Sequence, residues 1–340
     1  MSRPTVAGAG FIPLDMVVSG VSDPRLEREY AGGSCGNVLS ILAFLGWNSY
    51  PIAEFGDDPR ADSIISDFRA FGVHAGFIEK RHECTTPGIA LRFEKREGRP
   101  SKTISSWIDP FTGETFPKRK PLSVSTASRA ALSLPSLSVF YFDRAEHASV
   151  MLARHAKSHG AIIYFEPSSS RDTEFFREAL ILSDIVKYSE DRIPTSLFPN
   201  HLDCPHLEIR TIGSRGLLYR IRDTSSAKHS WKHSPSFPSR IVADTTGCGD
   251  WCSAGVIASL CSTGRDSFLS MPESSILDGL RFGQALSTLN CEVEGARTSM
   301  YTSSAPAILS RVDDILRDSG PIHPPLNTLS ITNRGWVLLP

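Results

Sequence analysis

The run Asp244-Thr245-Thr246-Gly247-Cys248-Gly249-Asp250, continued by Trp251-Cys252-Ser253-Ala254-Gly255, constrains this chain more than any other stretch. Strand-like Ser239-Arg240-Ile241-Val242 leads into it, and an apolar, helix-like segment over 254–260 leads out. The run therefore reads as a turn between a strand and a helix, a unit of α/β architecture. At such a turn several unpaired N–H groups converge at a helix N-terminus, where the helix dipole adds positive potential. The product is a seat for anionic phosphoryl oxygens, and glycine lets them approach closely. Asp250 stands on the same turn, where a carboxylate can take a proton from an attacking hydroxyl while the loop stabilises developing charge. The structural alternative is that Asp250 only caps the helix and Gly247 and Gly249 only shape the turn.

Elsewhere helical and strand-like patterns alternate: 38–45, 61–71 and 150–157 read as helices, 139–142 and 161–165 as strands. That rhythm predicts an α/β fold with a mostly parallel sheet flanked by helices. Residues 5–10 begin an apolar strand and 16–18 continue onto a second. Two segments break the rhythm, 12–31 and 87–108, where alternations such as Ile89-Ala90-Leu91-Arg92-Phe93 suit antiparallel strands with one exposed face. The stretch 225–239 reads as a loop and 303–318 as a late helix. Residues 1–320 are expected to form one domain, and 321–340 a proline-punctuated extension whose apolar end docks.

Composition excludes more than it assigns. The chain has 340 residues, enough for a sizeable core, and 36 basic side chains against 37 acidic ones. Near-balance gives no reason to expect nucleic-acid or membrane partners, and Lys118-Arg119-Lys120 reads as a solvated loop. Seven cysteines, an odd number, make no disulfide framework and suit the cytoplasm. No export signal and no span long enough for a bilayer is apparent. Gly8-Ala9-Gly10 is not a complete dinucleotide fingerprint, and Pro13 would interrupt its helix. A Walker-type phosphate loop and a nucleophile elbow are both absent. His201, Cys204 and His206 offer three zinc ligands without a fourth, so a structural role is preferred.

The run 244–255 resembles the C-terminal signature D-T-x-G-A-G-D of the ribokinase-like, or PfkB-type, carbohydrate and nucleoside kinases, with Cys248 where alanine is usual. Four more matches follow the family's order. Gly32-Gly33-Ser34-Cys35-Gly36-Asn37 resembles its G-G-x-x-x-N segment, and Gly56-Asp57-Asp58 with Gly72-Val73 its G-x-D turn and next strand start. Residues 183–190 resemble the A-D-x-x-K-x-N-x-x-E region, with Ser189 for the usual Asn, and 211–216 resemble T-x-G-x-x-G.

The resemblance implies a three-layer ribokinase-like sandwich with a small β lid drawn from 12–31 and 87–108, which in similar kinases often also forms a homodimer contact. It implies an ATP-dependent transfer of a γ-phosphoryl group to a hydroxyl of a sugar or sugar-like acceptor. Asp250 would be the base, with Gly247, Cys248 and Gly249 as the anion loop. Asp15, Gly32, Gly33 and Asn37 would hold the acceptor. Lys187, Thr211, Gly213, Ser214, Gly216, Gly283 and Gln284 would serve ATP. Glu190 would hold Mg²⁺ through water, and Asp244 would lie near a monovalent cation such as K⁺. Two readings stand beside it: a nucleoside kinase, hinted at by Ser34 and marked by an aromatic clamp over the base, or a non-catalytic ligand-binding protein of the same fold. Cys248 reads as a small residue in the alanine niche, one helical turn from Cys252, with redox sensitivity as its other reading.

Overall fold

The structure, a computed structural model, describes residues 3–20, 23–97, 99–168, 173–198, 205–222, 230–239, 241–318, 329–332 and 335–338. The first half of the chain runs β1 (Thr5–Ala9), β2 (Leu14–Ser19), β3 (Arg25–Ala31), α1 (Gly33–Phe44), β4 (Asn48–Gly56), α2 (Pro59–Ala70), β5 (Ile78–Arg81), β6 (Gly88–Arg96) and β7 (Arg99–Ser106). Next come α3 (Val124–Ser133), β8 (Val139–Phe142), α4 (His147–Ser158), β9 (Ile162–Phe165), α5 (Glu174–Leu182), β10 (Ile185–Ser189), β11 (Leu207–Thr211), β12 (Leu217–Ile221) and β13 (Lys232–Ser234). The C-terminal part holds α6 (Cys248–Leu260), α7 (Arg265–Leu269), α8 (Glu273–Asn290), α9 (Thr298–Thr302), α10 (Ala305–Asp318), β14 (Leu329–Thr332) and β15 (Gly335–Leu338).

Nine strands form one sheet in the order β13-β12-β11-β10-β9-β8-β1-β4-β5. The pairings from β5 to β11 are parallel, and β12 and β13 add an antiparallel edge. The central strands are apolar without alternation because helices cover both faces: Val139–Phe142 and Ile162–Phe165 are buried at every residue. One core lies against α1, α6 and α8, the other against α4 and α5. The result is the expected three-layer sandwich. The segments that break the rhythm form a second sheet, β3-β2-β6-β7, the small lid.

Three local expectations differ. Residues 239 and 241–242 are not a strand: Ile241 and Val242 are exposed, and the edge position is taken by β13 inside the stretch expected to be a loop. β13 escapes notice because Lys232-His233-Ser234 is short and polar, and it exists through pairing with β12. Arg119 is not simply solvated, since it is half-buried and paired with Glu146. His201 and Cys204 of the zinc reading lie outside the described residues, as does 321–328 of the extension, whose β14 and β15 pair with each other.

Candidate active site

The turn over residues 244–250 forms at the entry to a helix, as the sequence requires. Gly247 is the N-cap of α6 in the left-handed region, at φ 77°, and a Cβ there would stand 2.5 Å from the Ala296 Cα. Only glycine meets both conditions. The Cys248 amide turns back to the Thr245 carbonyl at 3.3 Å, leaving the Gly249 and Asp250 amides in the helix's unpaired first turn. Asp250 is the third helical residue, so the cap is Gly247 and the capping alternative for Asp250 fails.

Asp244 holds this loop in shape. Its Oδ1 accepts from Thr245 N at 2.8 Å, Thr246 N at 3.2 Å, Thr246 Oγ1 at 3.0 Å and Thr103 Oγ1 at 3.0 Å, while Oδ2 accepts from Gly295 N at 3.0 Å. Thr103 belongs to lid strand β7, and Ser101 N of the same strand donates to Ala243 O at 2.7 Å. Lid and anion loop are thus one hydrogen-bonded unit.

Asp250 and the residues expected to hold the acceptor meet at the carboxyl ends of the central strands, where α/β sheets bind ligands. Asn37 Nδ2 donates to Asp250 Oδ2 at 2.7 Å, joining α1 to α6. Burial pushes the Asp250 carboxyl up to about 7, reinforced by the Glu166 charge, while the Asn37 bond and Lys187 oppose it. Asp15 lies within β2 rather than after the first strand, and burial pushes it also to about 7 against the pull of the Arg297 guanidinium. Gly32 makes room for it: a Cβ there would fall 1.9 Å from Asp15 Cγ. Asp15 Oδ1 and Asn37 Oδ1 are buried without a hydrogen-bond partner, the condition of groups awaiting one. Gly33 opens α1 beside them.

Two carboxylates here escape the sequence reading. Glu166 Oε1 accepts from Lys187 Nζ at 2.5 Å, and Oε2 from Ser253 Oγ at 2.5 Å and Tyr141 OH at 3.1 Å. Asp143 is buried, accepts from Phe11 N at 2.9 Å, and is raised by that burial. Each directly follows a fully buried apolar strand, β8 or β9, and that position at the carboxyl edge of a parallel sheet is the signal that could have found them. Lys187 is as buried as the core and sits beneath the loop, its Nζ 3.8 Å from where a Gly249 Cβ would be; its partner is Glu166.

The expected nucleotide residues divide. Ser214 lines an open cleft of about 530 Å³ with Ile212, Arg215, Leu218, His233, Pro235 and Ser236. Thr211 ends β11, and Gly213 and Gly216 bracket the short turn carrying Ser214. Glu190 follows β10, donates its amide to Thr211 O at 3.1 Å, and pairs with Arg215 of the cleft wall. Gln284 lies behind that wall, donating to Ser234 O and Pro235 O at 3.1 Å each. Gly283 is not brought to the cleft. It packs α8 on α6, where a Cβ would stand 2.6 Å from Cys252 O. The Cys248 thiol lies 2.8 Å from Cys291 Sγ, not against Cys252, and the contact between them holds Cys291 below the usual thiol range.

No protein-family model matches the chain. A curated protein of Arabidopsis thaliana, "Probable fructokinase-6, chloroplastic", is 24% identical over 325 residues, covering 87% of this chain and 78% of the relative. A fructokinase from Xylella fastidiosa with bound ATP superposes with a TM-score of 0.67 at 18% identity, over 93% of this chain and 99% of its own. The chain has the ribokinase-like fold, and its curated relatives and structural neighbours are sugar and nucleoside kinases. A second ribokinase-like structure, a fructokinase double mutant from Vibrio cholerae O395 with fructose, ADP and potassium ion bound, gives a TM-score of 0.67 at 17% identity, over 92% and 99% of the two chains. Among the described residues no helix is long and apolar enough to cross a membrane, and no group of three or more His, Cys, Asp or Glu could hold a metal ion.

Proposed function

We propose that this chain is an ATP-dependent phosphotransferase with an alcohol acceptor, moving the γ-phosphoryl group to a hydroxyl of a sugar or sugar-like molecule. The observation that carries this reading is the buried Asp250 carboxyl, near pKa 7, on the first turn of α6 and hydrogen-bonded to Asn37. A base titrating near neutrality is matched to removing a hydroxyl proton, and the adjoining amides are placed to stabilise charge on the phosphoryl oxygens. Asp15 and Asn37 hold acceptor hydroxyls through the oxygens that lack partners, and Thr103 keeps the lid registered on the loop. Glu166 and Lys187 set the charge around Asp250 from below.

The donor set fits Mg²⁺ held through water: Glu190 is an oxygen donor tied to the cleft wall by Arg215. When bound, Mg²⁺ neutralises charge on the ATP phosphates. For a monovalent cation, the Asp244 oxygens are already taken up by five donors, so main-chain carbonyls of the same loop would supply its contacts. A homodimer through the lid is in keeping with the exposed Leu26 on β3 and Trp107 and Ile108 after β7.

The sugar reading is favoured over a nucleoside by Phe11 and Trp107. Their ring centroids lie 6.0 Å apart at a 40° tilt, so they pack on each other. A base held between two rings needs them parallel and roughly 7 Å apart, two contact distances. The test is MgATP-dependent phosphorylation across ketoses, aldoses, sugar acids and nucleosides, read by product mass. A sugar phosphate is expected. Product from nucleosides alone would transfer the reading to a nucleoside kinase, and thermal stabilisation by a sugar without product would favour a binding protein.

A further inference from the structure

We propose that Cys248 and Cys291 form an oxidation site at which a hydroperoxide joins them in a disulfide that clamps the anion loop. The consequence for turnover rests on the kinase reading; the chemistry does not. Cys248 is the first residue of α6, between the two loop glycines, and Cys291 is the C-cap of α8. Their sulfurs are 2.8 Å apart, within about 1 Å of a disulfide bond length. Both residues are half-buried, which leaves a small oxidant access, whereas Cys35, Cys252 and Cys261 are enclosed in the core.

The surroundings bind the pair to the loop's function. The Cys291 carbonyl accepts from Ala243 N at 2.7 Å, and Asn290 Nδ2 reaches both Thr246 O at 2.8 Å and Cys248 Sγ at 3.7 Å. The end of α8 therefore already supports the loop on one side, and a covalent bond at Cys248 would fix its other side. A loop that must settle around a transferring phosphoryl group would lose that freedom.

In the reaction, one thiolate attacks a peroxide oxygen, the O–O bond breaks, and a sulfenic acid and hydroxide form. The second thiol then attacks the sulfenic sulfur, the S–S bond forms, and the S–O bond breaks with loss of water. The two thiols give up two electrons and two protons, and hydrogen peroxide becomes two waters.

The full-length protein would be treated with hydrogen peroxide and then with dithiothreitol. Intact and peptide mass, the thermal shift produced by ADP, and phosphorylation rate would be followed together. We expect loss of two hydrogens mapped to a 248–291 link, a fall in rate of at least about tenfold, a reduced ADP shift, and recovery of all three on reduction. Cys291→Ser is expected to keep its untreated rate and to resist peroxide, and Cys248→Ala to show no link in the mass spectrum. A link elsewhere, no link, or a 248–291 link with unchanged rate and ADP shift overturns the proposal. If the reduced protein phosphorylates nothing, the kinase reading fails by itself, and the mass map and ADP shift still decide the oxidation site.

Discussion

On the proposed acceptor side Asp15, Asn37 and Asp250 are buried, two of their oxygens lack partners, and both carboxyls are pushed up to about 7. On the proposed nucleotide side Ser214, Arg215 and His233 line an open cleft, and Glu190 already has Arg215 as its counter-ion. The first region stores desolvation that a hydroxyl-bearing ligand relieves, so it can discriminate among acceptors. The second is a largely exposed surface, where on the proposed reading each side chain would contribute little and binding would rest on shape and main-chain groups. On the proposed reading, discrimination and proton removal fall to the sealed side.

The largest expected effect strikes the charge beneath the sealed side. Lys187→Met leaves Glu166 without its counter-ion and should cost about 3–5 kcal/mol in urea denaturation; a loss below 1 kcal/mol would mean that the pair is not what supports Asp250. Next comes Gly32→Ala, whose Cβ overlaps Asp15. Acceptor kcat/KM should fall about a hundredfold or more, about 2.7 kcal/mol, with the ADP thermal shift retained. An equal loss on the nucleotide side would erase the contrast between the two regions.

Smaller, and of opposite sign, is the effect of Asp15→Asn on the stability of the unliganded protein. The folded carboxyl titrates near 7 against an ordinary value of 3.8, so the native state binds the proton more tightly and stability declines as pH rises between those values. Removing the charge should stabilise the protein by ~1–3 kcal/mol at pH 8, with the gain gone below pH 4. A mutant less stable at pH 8 would show that Arg297 outweighs burial. The least effect is expected from Arg215→Ala on the open side: stability within about 0.5 kcal/mol, as for surface substitutions, and only a modest rise in the KM for ATP.

The contrast also marks what the sequence can show. The turn into α6 and the entry to α1 were legible because their backbones demand particular residues: a left-handed cap at Gly247 and a close approach at Gly32 leave few choices. The parallel sheet was legible from runs such as Ile162–Phe165, which only a doubly covered strand carries. Glu166 and Asp143 were missed: their position after a strand marks them only as edge carboxylates, and their partners Lys187, Ser253 and Phe11 arrive from distant segments. Helical spacing offered Cys252 to Cys248, but the true neighbour is Cys291, 43 positions away on α8. Gly283 shows the reverse error: a small residue on a buried helix looks the same whether it faces a ligand or, as here, another helix.

The central claim, that Asp250 removes the acceptor's proton, is tested most directly by comparing the pH dependence of phosphorylation in the wild type and Asp250→Asn. The account predicts a wild-type rate that rises with pH through an apparent pKa of about 7, and a mutant slowed by about 10²–10⁴-fold in which that rise is lost. A mutant within about tenfold of wild type that keeps the same pH profile would contradict it.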